Sequence, residues 1–451
     1  MAFSGIVIRM KRDELSFHNP WWSGSMDRLE GLHERSSAMD LMPLFKRKEI
    51  LAITGVRRSG KSSLMRLLIR RVLEDVDPRN VLYIDCDDPT FADGSIKDLI
   101  DAYHEAQTPE GMRYVFLDEV QTMPMWERWL KRYYDAGEPI KFVVSGSNSS
   151  LLSSEYATSL TGRDFTYVLF PLTFAELLEF KGVSASDWLQ ISSSRAKIKN
   201  LMEDYMRYGG FPEVVIATDT IAKVSLLKEY YNAILAKDII LRYDVRERDG
   251  LVKLARFMVS NIAKPASATS LGRAVKLDPK TVQTYLDHLR EAFLFMYVNH
   301  FSYSLKAQLD YPMKIYCVDT GLRNAVSFRF SEDAGRLMEN LVFLKLMRLG
   351  EVYYWREGGT EVDFVLQQGA DVTHLVQSCY DLDDPKTRKR EESALLKAMQ
   401  HFRLKKGTIV TWDEEGERKE GGKVIEYHPL WRWLLEWDHA AGDGLHPLPM
   451  G

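Results

Sequence analysis

The run Gly55-Val56-Arg57-Arg58-Ser59-Gly60-Lys61-Ser62 fits the pattern GxxxxGK[ST] without a mismatch, and its residue types suit phosphate chemistry. The glycines let the backbone curl until successive N–H groups point inward at an anion, and a helix starting near Lys61 adds its positive end. The Lys61 ammonium would neutralise β- and γ-phosphates, and the Ser62 hydroxyl would complete the shell of a Mg2+ ion. Val56, Arg57, Arg58, Ser59 and Ser63 share the loop and the first turn, so every residue from 55 to 63 is a candidate nucleotide contact. A Gly-rich turn between a strand and a helix is the plainer alternative. The apolar run 50–53 before the loop, and Leu64, Leu67, Leu68 and Val72 at helical spacing after it, supply the flanking strand and helix and favour the phosphate loop.

A nucleotide site of this kind needs a carboxylate at a neighbouring strand tip. Arg113-Tyr-Val-Phe-Leu-Asp118-Glu119 supplies one. Asp118 can hold Mg2+ through water, and Glu119 can orient or deprotonate the attacking water as a general base. A strand ending in two acids also commonly just enters a solvated turn; its position after a complete phosphate loop favours the chemical reading. The next apolar run ends in Ser145-Gly146-Ser147-Asn148-Ser149. Ser147 or Asn148 could sense the γ-phosphate by a hydrogen bond, or cap a helix beginning at Leu151; both readings stand.

The elements that must position these groups alternate. Apolar, β-rich runs at 50–54, 80–86, 113–118, 140–147 and 165–171 are separated by helical patterns, the sign of an α/β fold with a parallel sheet whose ligands bind at the C-terminal strand edge. Before them lie Trp21 and Trp22, which could dock on a partner but are expected to pack on the chain's own core, and a helical stretch expected over 26–45. Residues 181–245 read as helical.

The chain has 451 residues, 45% hydrophobic and 27% charged, an ordinary globular composition with room for about three domains. Sixty basic against 64 acidic residues give a net charge of -4, so any affinity for nucleic acid has to be local. Cys86, Cys317 and Cys379 are odd in number and set in apolar runs, which points to reduced thiols and a cytoplasmic protein rather than to zinc or disulfides. No run approaches a membrane span, and the start is too short for a signal peptide; no membrane partner is expected.

Between 250 and 300 come a helix, a second helix at 269–276, a turn at Leu277-Asp278-Pro279, a third helix at 280–291 and a strand at 293–298. Asp278 can cap the third helix and Pro279 suits its first turn. The order is that of a winged helix-turn-helix, whose third helix would enter the major groove of DNA with Lys280, Thr281, Gln283, Thr284, His288 and Arg290. A module packed between domains that never touches DNA is the alternative.

The phosphate loop, Asp118-Glu119-Val120-Gln121, Ser145-Gly-Ser-Asn-Ser-Ser-Leu-Leu152, Leu160-Thr161-Gly162-Arg163 and Phe170-Pro171-Leu172-Thr173-Phe174 together resemble AAA+ P-loop ATPases of archaea and bacteria. The branch is the one whose ATPase domain precedes an uncharacterised, nuclease-like domain. The resemblance implies ATP and Mg2+ as ligands, ATP hydrolysis, and Arg163 as an arginine finger reaching a neighbouring subunit's γ-phosphate, hence a homo-oligomer; a locally paired surface arginine is the alternative. It also implies that Tyr208-Gly209-Gly210-Phe211-Pro212 sets Pro212 against the adenine, although such a turn also simply joins two helices. The expected order is an N-terminal arm (1–40), an ATPase core (41–180), a helical lid (181–245), a winged helix (246–305) and a nuclease-like domain (306–451).

That last part follows an α-β-β-β-α-β order and resembles the PD-(D/E)XK nuclease core, in which acids on the helix and the second strand and an E-x-K on the third hold metal and activate water. Glu339 and Asp363 match the first two. The third strand reads Gln377-Ser378-Cys379, an amide for the carboxylate and a thiol for the lysine, so nuclease chemistry is not expected. The resulting expectation is a nucleotide-switched ATPase acting on or near DNA. The alternative is a signalling or assembly ATPase that holds protein partners.

Overall fold

The structure, a computed structural model, describes residues 13–92, 94–147, 160, 162–184, 193–327 and 333–436, and the chain divides into two compact units between Phe170 and Pro171. In the first unit five parallel strands, β1 (Ile50–Thr54), β2 (Val81–Asp85), β3 (Arg113–Asp118), β4 (Ile140–Ser145) and β5 (Asp164–Val168), stand in the order β2-β3-β4-β1-β5. β1 lies between β4 and β5 and is buried along its whole length. Alternate residues serve opposite faces: Ile50 and Ala52 join the core with Ile96, Leu99, Trp126 and Leu130 of helices Ile96–Gln107 and Trp126–Ala136, while Leu51 and Ile53 join Leu64, Leu67 and Leu68 of helix Lys61–Val72. Two covered faces are the reason the strand reads as an unbroken apolar run.

The edge strand β2 is capped by the N-terminal segment. The Asn19 amide mimics a neighbouring strand, donating to the Tyr83 carbonyl at 2.9 Å and accepting the Tyr83 N–H at 2.6 Å. The Trp21 and Trp22 indole N–H groups both donate to the Val81 carbonyl, at 3.0 and 2.9 Å. The aromatic pair therefore protects an exposed sheet edge. The helix expected over 26–45 is instead broken into a 3-10 turn at Asp27–Leu29, a helix at Ser36–Leu41 and a second 3-10 turn at Met42–Lys46. Gly31 takes a left-handed φ of +66°, and Pro43, at the start of the second 3-10 turn, lacks the N–H a continuing helix needs.

The second unit opens with helices Phe174–Phe180, Arg195–Tyr208, Pro212–Ile216 and Thr220–Ala233, the last continuing as a π-helix over Ile234–Leu241. Then follow helix Arg248–Ser260, β6 (Pro265–Ala266), helix Ala268–Val275, helix Pro279–Glu291, β7 (Phe295–Val298) and β8 (Met313–Cys317). Asp278 accepts the Lys280 N–H at 2.8 Å and so caps the third of these helices. β8 lies between β6 and β7 and runs antiparallel to both, so this small sheet extends across the boundary expected at 305/306.

Strands β9 (Glu351–Glu357), β10 (Thr360–Gln368), β11 (Asp371–Ser378), β12 (Lys406–Thr411), β13 (Gly416–Glu420) and β14 (Lys423–Pro429) form a mixed sheet ordered β13-β14-β12-β11-β10-β9. Helix Ala334–Leu346 precedes it, and helix Pro385–His401 joins β11 to β12 and packs Leu395, Ala398 and Met399 on Val365, Leu375, Ile409 and Ile425. All three cysteines are buried as free thiols.

A buried acid fixes the turn before Pro212. Asp319 accepts the Gly210 N–H at 2.7 Å and the Leu322 N–H at 3.0 Å. A Cβ on Gly209 would lie 2.0 Å from the Asp319 carboxylate, and one on Gly321 would lie 2.1 Å from the Tyr208 carbonyl oxygen. Burial pushes the Asp319 carboxyl from 3.8 up to about 6, against the lowering effect of those N–H donors. Between these values the folded chain holds a proton that the unfolded chain has released, so stability falls as pH rises from about 4 to 6 and then levels. Thermal unfolding across that range should show a loss on the order of 2–3 kcal/mol relative to Asp319→Ala, which has no proton to bind. A wild-type minus variant difference that stays flat over the range would refute this.

Candidate active site

β1 delivers the chain into the phosphate loop at the C-terminal edge of the sheet. Gly55 has φ +141°, and a Cβ there would sit 2.1 Å from the Leu169 carbonyl oxygen, so the loop can leave the strand along this path only with glycine. Gly60, at φ +99°, is the left-handed residue that starts helix Lys61–Val72. The first turn of that helix, Lys61, Ser62 and Ser63, brings its N–H groups to the C-terminal edge of the sheet, where a helix start suits an anion. The Lys61 side chain is buried and its ammonium lies across the loop, donating to the Gly55 and Val56 carbonyls at 3.0 and 3.3 Å. Arg57 is half-buried and Arg58 is exposed, with a left-handed φ of +69°.

The loop also has a brace that sequence reasoning missed. The buried Arg35 guanidinium donates to the carbonyls of Ser59, at 3.0 Å, and Phe170, at 3.2 Å. No motif surrounds Arg35, and only the folded chain brings it behind the loop.

Asp118 ends β3 beside β4 and is 2% exposed. Its carboxylate accepts the Tyr83 hydroxyl at 2.8 Å on one oxygen and the Ser145 hydroxyl on the other. Burial first, and Asp118 second, push the Tyr83 phenol far above its usual range, so it remains a donor. Ser145 also accepts the Glu119 N–H at 3.1 Å; one hydroxyl thus ties the last residue of β4 to both acids. Glu119 has φ +50° and ψ +45°, a left-handed conformation that costs a non-glycine residue roughly 1–3 kcal/mol and is kept only where its surroundings hold it. Its side chain accepts the Gln121 amide at 2.5 Å. The sequence signal for Tyr83 and Ser145 is faint, a hydroxyl near the end of an apolar strand.

The strand register, Ile53 beside Ser145 and Asp85 beside Asp118, gathers these groups at one edge. Residues 55–63, Asp118, Glu119 and Ser147 come together there, Ser147 buried just past β4. Asn148 lies outside the described residues. Arg163 is not brought to its own chain's loop: its carbonyl accepts the Ile50 N–H, which places it at the opposite strand edge, and its guanidinium holds Asp135 at 2.9 Å. Pro212 begins a helix of the second unit; a Cβ on Gly209 before it would meet the Asp319 carboxylate, and one on Gly210 the Leu172 carbonyl oxygen. The residues present fit a magnesium nucleotide. Gly55 leaves room where a Cβ would clash, the helix start is open, the lysine sits across the loop, and Ser62 and the buried Asp118 offer oxygen ligands.

On helix Pro279–Glu291, Lys280, Gln283, Thr284 and Arg290 are exposed and Thr281 is half-buried. His288 does not join that face freely. Its ring stacks on Tyr243 at 3.8 Å, and burial lowers its pKa against the raising effect of Glu291 and Asp287. Arg290 pairs with Asp287 at 3.1 Å. Among the described residues no helix is long and apolar enough to cross a membrane.

A family model for the AAA domain matches residues 47–178, and one for a domain of unknown function (DUF8612) matches residues 199–333. The uncharacterised protein MJ1544 of Methanocaldococcus jannaschii is 30% identical over 403 residues, which span 86% of this chain and 88% of that one. An uncharacterised protein of Haemophilus influenzae is 30% identical over 348 residues, spanning 74% and 83%. Among solved structures, the Walker-type ATPase of Pyrococcus abyssi superposes with a TM-score of 0.45 at 13% identity, covering 66% of this chain and 96% of that one.

Two substitutions probe the geometry. Lys61→Ala removes the one side-chain ammonium lying across the loop and is expected to weaken ATP binding about 100-fold or more in calorimetry, given the strength of charge-assisted hydrogen bonds; unchanged affinity in a folded variant would displace the site. Ser145→Ala strips Asp118 of a donor and leaves the Glu119 N–H without its acceptor. It should cost the first unit about 1–3 kcal/mol in denaturant unfolding.

Proposed function

We propose, from the premise that this chain belongs to the protein family that includes MJ1544 of Methanocaldococcus jannaschii and carries an AAA domain over residues 47–178, that it binds and hydrolyses ATP with Mg2+. The observation that carries this reading is the meeting of the phosphate loop with Asp118 and Glu119 at one strand edge, tied together by Ser145. Residues 55–63 would cradle the phosphates through backbone N–H groups, with Lys61 as the point charge on the β- and γ-phosphates. Ser62 and Asp118 would hold the metal, which when bound with the nucleotide supplies positive charge against the oxygens of the transferring phosphoryl group. Glu119, held by Ser145 and Gln121, would take a proton from the attacking water. Ser147 would sense the γ-phosphate. Arg163, at the far edge of its own sheet, would act on a neighbouring subunit's nucleotide.

ATP would act as a switch for the second unit, and we read that switch as working on or near DNA. The succession of helix Arg248–Ser260, β6, two helices, β7 and β8, with three antiparallel strands, supports a winged helix. Lys280 and Arg290, exposed beside Gln283 and Thr284, support contact with phosphates. The order helix, β9, β10, β11, helix, β12 supports a nuclease-like sheet, and Gln377 and Cys379 support its being unable to cut. One observation favours the alternative of a signalling or assembly ATPase with protein partners: His288 and Arg290 are both engaged within their own unit, which thins the basic face.

The deciding experiment is the ATPase rate with and without single- and double-stranded DNA. Stimulation by DNA that is reduced in Lys280→Ala/Arg290→Ala supports the DNA reading, while turnover indifferent to DNA together with nucleotide-dependent oligomerisation favours the alternative. In parallel, Glu119→Gln should bind ATP normally and turn over 100-fold or more slowly, since the amide keeps the shape and loses the base. Mixing it with Arg163→Ala should recover turnover above either variant alone. Equal rates for wild type and Glu119→Gln would remove Glu119 from the mechanism.

A further inference from the structure

A heavily charged, largely buried cluster in the second unit is centred on Lys314. This residue comes from β8, the middle strand of the small three-stranded sheet, and its side chain is 2% exposed. Its ammonium stands 3.1 Å from Glu339 Oε1, 2.8 Å from Glu361 Oε1 and 2.9 Å from Asp363 Oδ1. Glu339 belongs to helix Ala334–Leu346, whereas Glu361 and Asp363 are two residues apart on β10 and so share a face. The carboxylates are held from behind. Asp363 Oδ2 accepts the Ser378 N–H at 3.1 Å, and Gln377 Oε1 accepts the Asp363 N–H at 3.1 Å while its Nε2 donates to Glu391 at 2.6 Å. Tyr316, two residues along β8 from Lys314, donates its hydroxyl to the same Glu339 oxygen at 2.8 Å.

An ordinary buried ion pair sets one acid against one base. Here three acids meet one base, and neither stability nor packing calls for the surplus, because a buried pair is already costly to desolvate and is often bettered by apolar residues. Three carboxylate oxygens from two elements converging on one small cation is instead the donor pattern of a hard divalent metal site. Among the described residues no group of His, Cys, Asp or Glu is arranged to hold a metal ion; here a covalently attached cation occupies the middle. Burial alone would drive Lys314 towards neutrality; Asp363 and Glu339 outweigh that effect and hold it charged, with its pKa well above the ordinary value.

We propose that the Lys314 ammonium is the resident cation of this carboxylate site, standing where a divalent metal would sit, so that β8 is fastened to the six-stranded sheet without metal. The acids matched by sequence to nuclease ligands, Glu339 and Asp363, then serve as a clamp. The lysine absent from β11 is present in the site after all, supplied by another sheet and spent on the carboxylates rather than on water. The proposal rests on the nuclease-like reading only for the comparison of positions; the contacts stand without it.

The test is metal uptake by the full chain without nucleotide. Wild type, Lys314→Ala and Lys314→Ala/Asp363→Asn are followed by thermal unfolding and calorimetry in millimolar Mn2+ and in EDTA. Wild type should show no Mn2+-dependent shift. Lys314→Ala should melt lower in EDTA and regain several degrees in Mn2+, as expected when a ligand binds only the folded state, and the added Asp363→Asn should abolish the gain. If Lys314→Ala is unfolded in EDTA, refolding should succeed with Mn2+, and failure of Mn2+ to rescue it counts against the proposal. Mn2+ uptake by wild type that Asp363→Asn removes, or a Lys314→Ala variant indifferent to Mn2+, overturns it. A plasmid assay on wild type separates the two readings. Metal uptake without cleavage sinks the ammonium proposal alone, whereas cleavage that persists in EDTA sinks the non-cutting reading and leaves the ammonium in place.

Discussion

The first unit depends on one close approach. β1 must end against the backbone that leaves β5, and Gly55 makes this feasible by having no Cβ to meet the Leu169 carbonyl oxygen. The Leu169 N–H in turn donates to the Thr54 carbonyl at 2.7 Å, which fixes the point where the chain departs from the sheet. From there the loop has little freedom: a left-handed Gly60 ends it, the Lys61 side chain spans it, and the Arg35 guanidinium holds its outer wall. An anion site of backbone N–H groups is useful only when those groups are rigid before the ligand arrives, since ordering them afterwards would consume binding energy. The same rigidity explains why buried polar side chains are tolerated around the loop.

Asp118 shows a second use of buried polarity. Its two oxygens accept hydroxyls from β2 and β4, so the carboxylate keeps a fixed orientation in the absence of metal, and Ser145 passes that order on to the strained backbone of Glu119. Strain at a single residue persists only where its surroundings over-determine it. Here they are a fully buried β4 on one side and the Glu119–Gln121 contact on the other.

The second unit repeats the theme with larger charges. Asp319 gathers N–H groups from two turns that would otherwise have no reason to meet, and Lys314 joins β8 to an acidic face built by a helix and β10. Each is expensive to bury and strongly directional. They specify which segments come together more than they add net stability, which suits a unit assembled from two separate sheets.

The sequence alone determined the sheet and the loop. Strand runs buried on both faces, amphipathic helices between them and an unbroken phosphate-loop pattern are local properties, and the structure keeps the five strands within a few residues of their expected places. The cap of helix Pro279–Glu291 was likewise legible because Asp278 and Pro279 act within one turn. The broken segment at 26–45 was not, since helical periodicity runs on across Gly31 and Pro43 and masks the two local breaks that the backbone makes there. Tertiary structure alone decided that Arg35 stands behind the loop, that Ser145 serves both acids, that His288 is stacked on Tyr243, and that Lys314 of β8 meets Glu339, Glu361 and Asp363. In every such case the partners are far apart in the chain and carry no spacing signal; what selects them is the cost of leaving a buried charge or donor unpaired, and that cost arises only once the chain has closed around it.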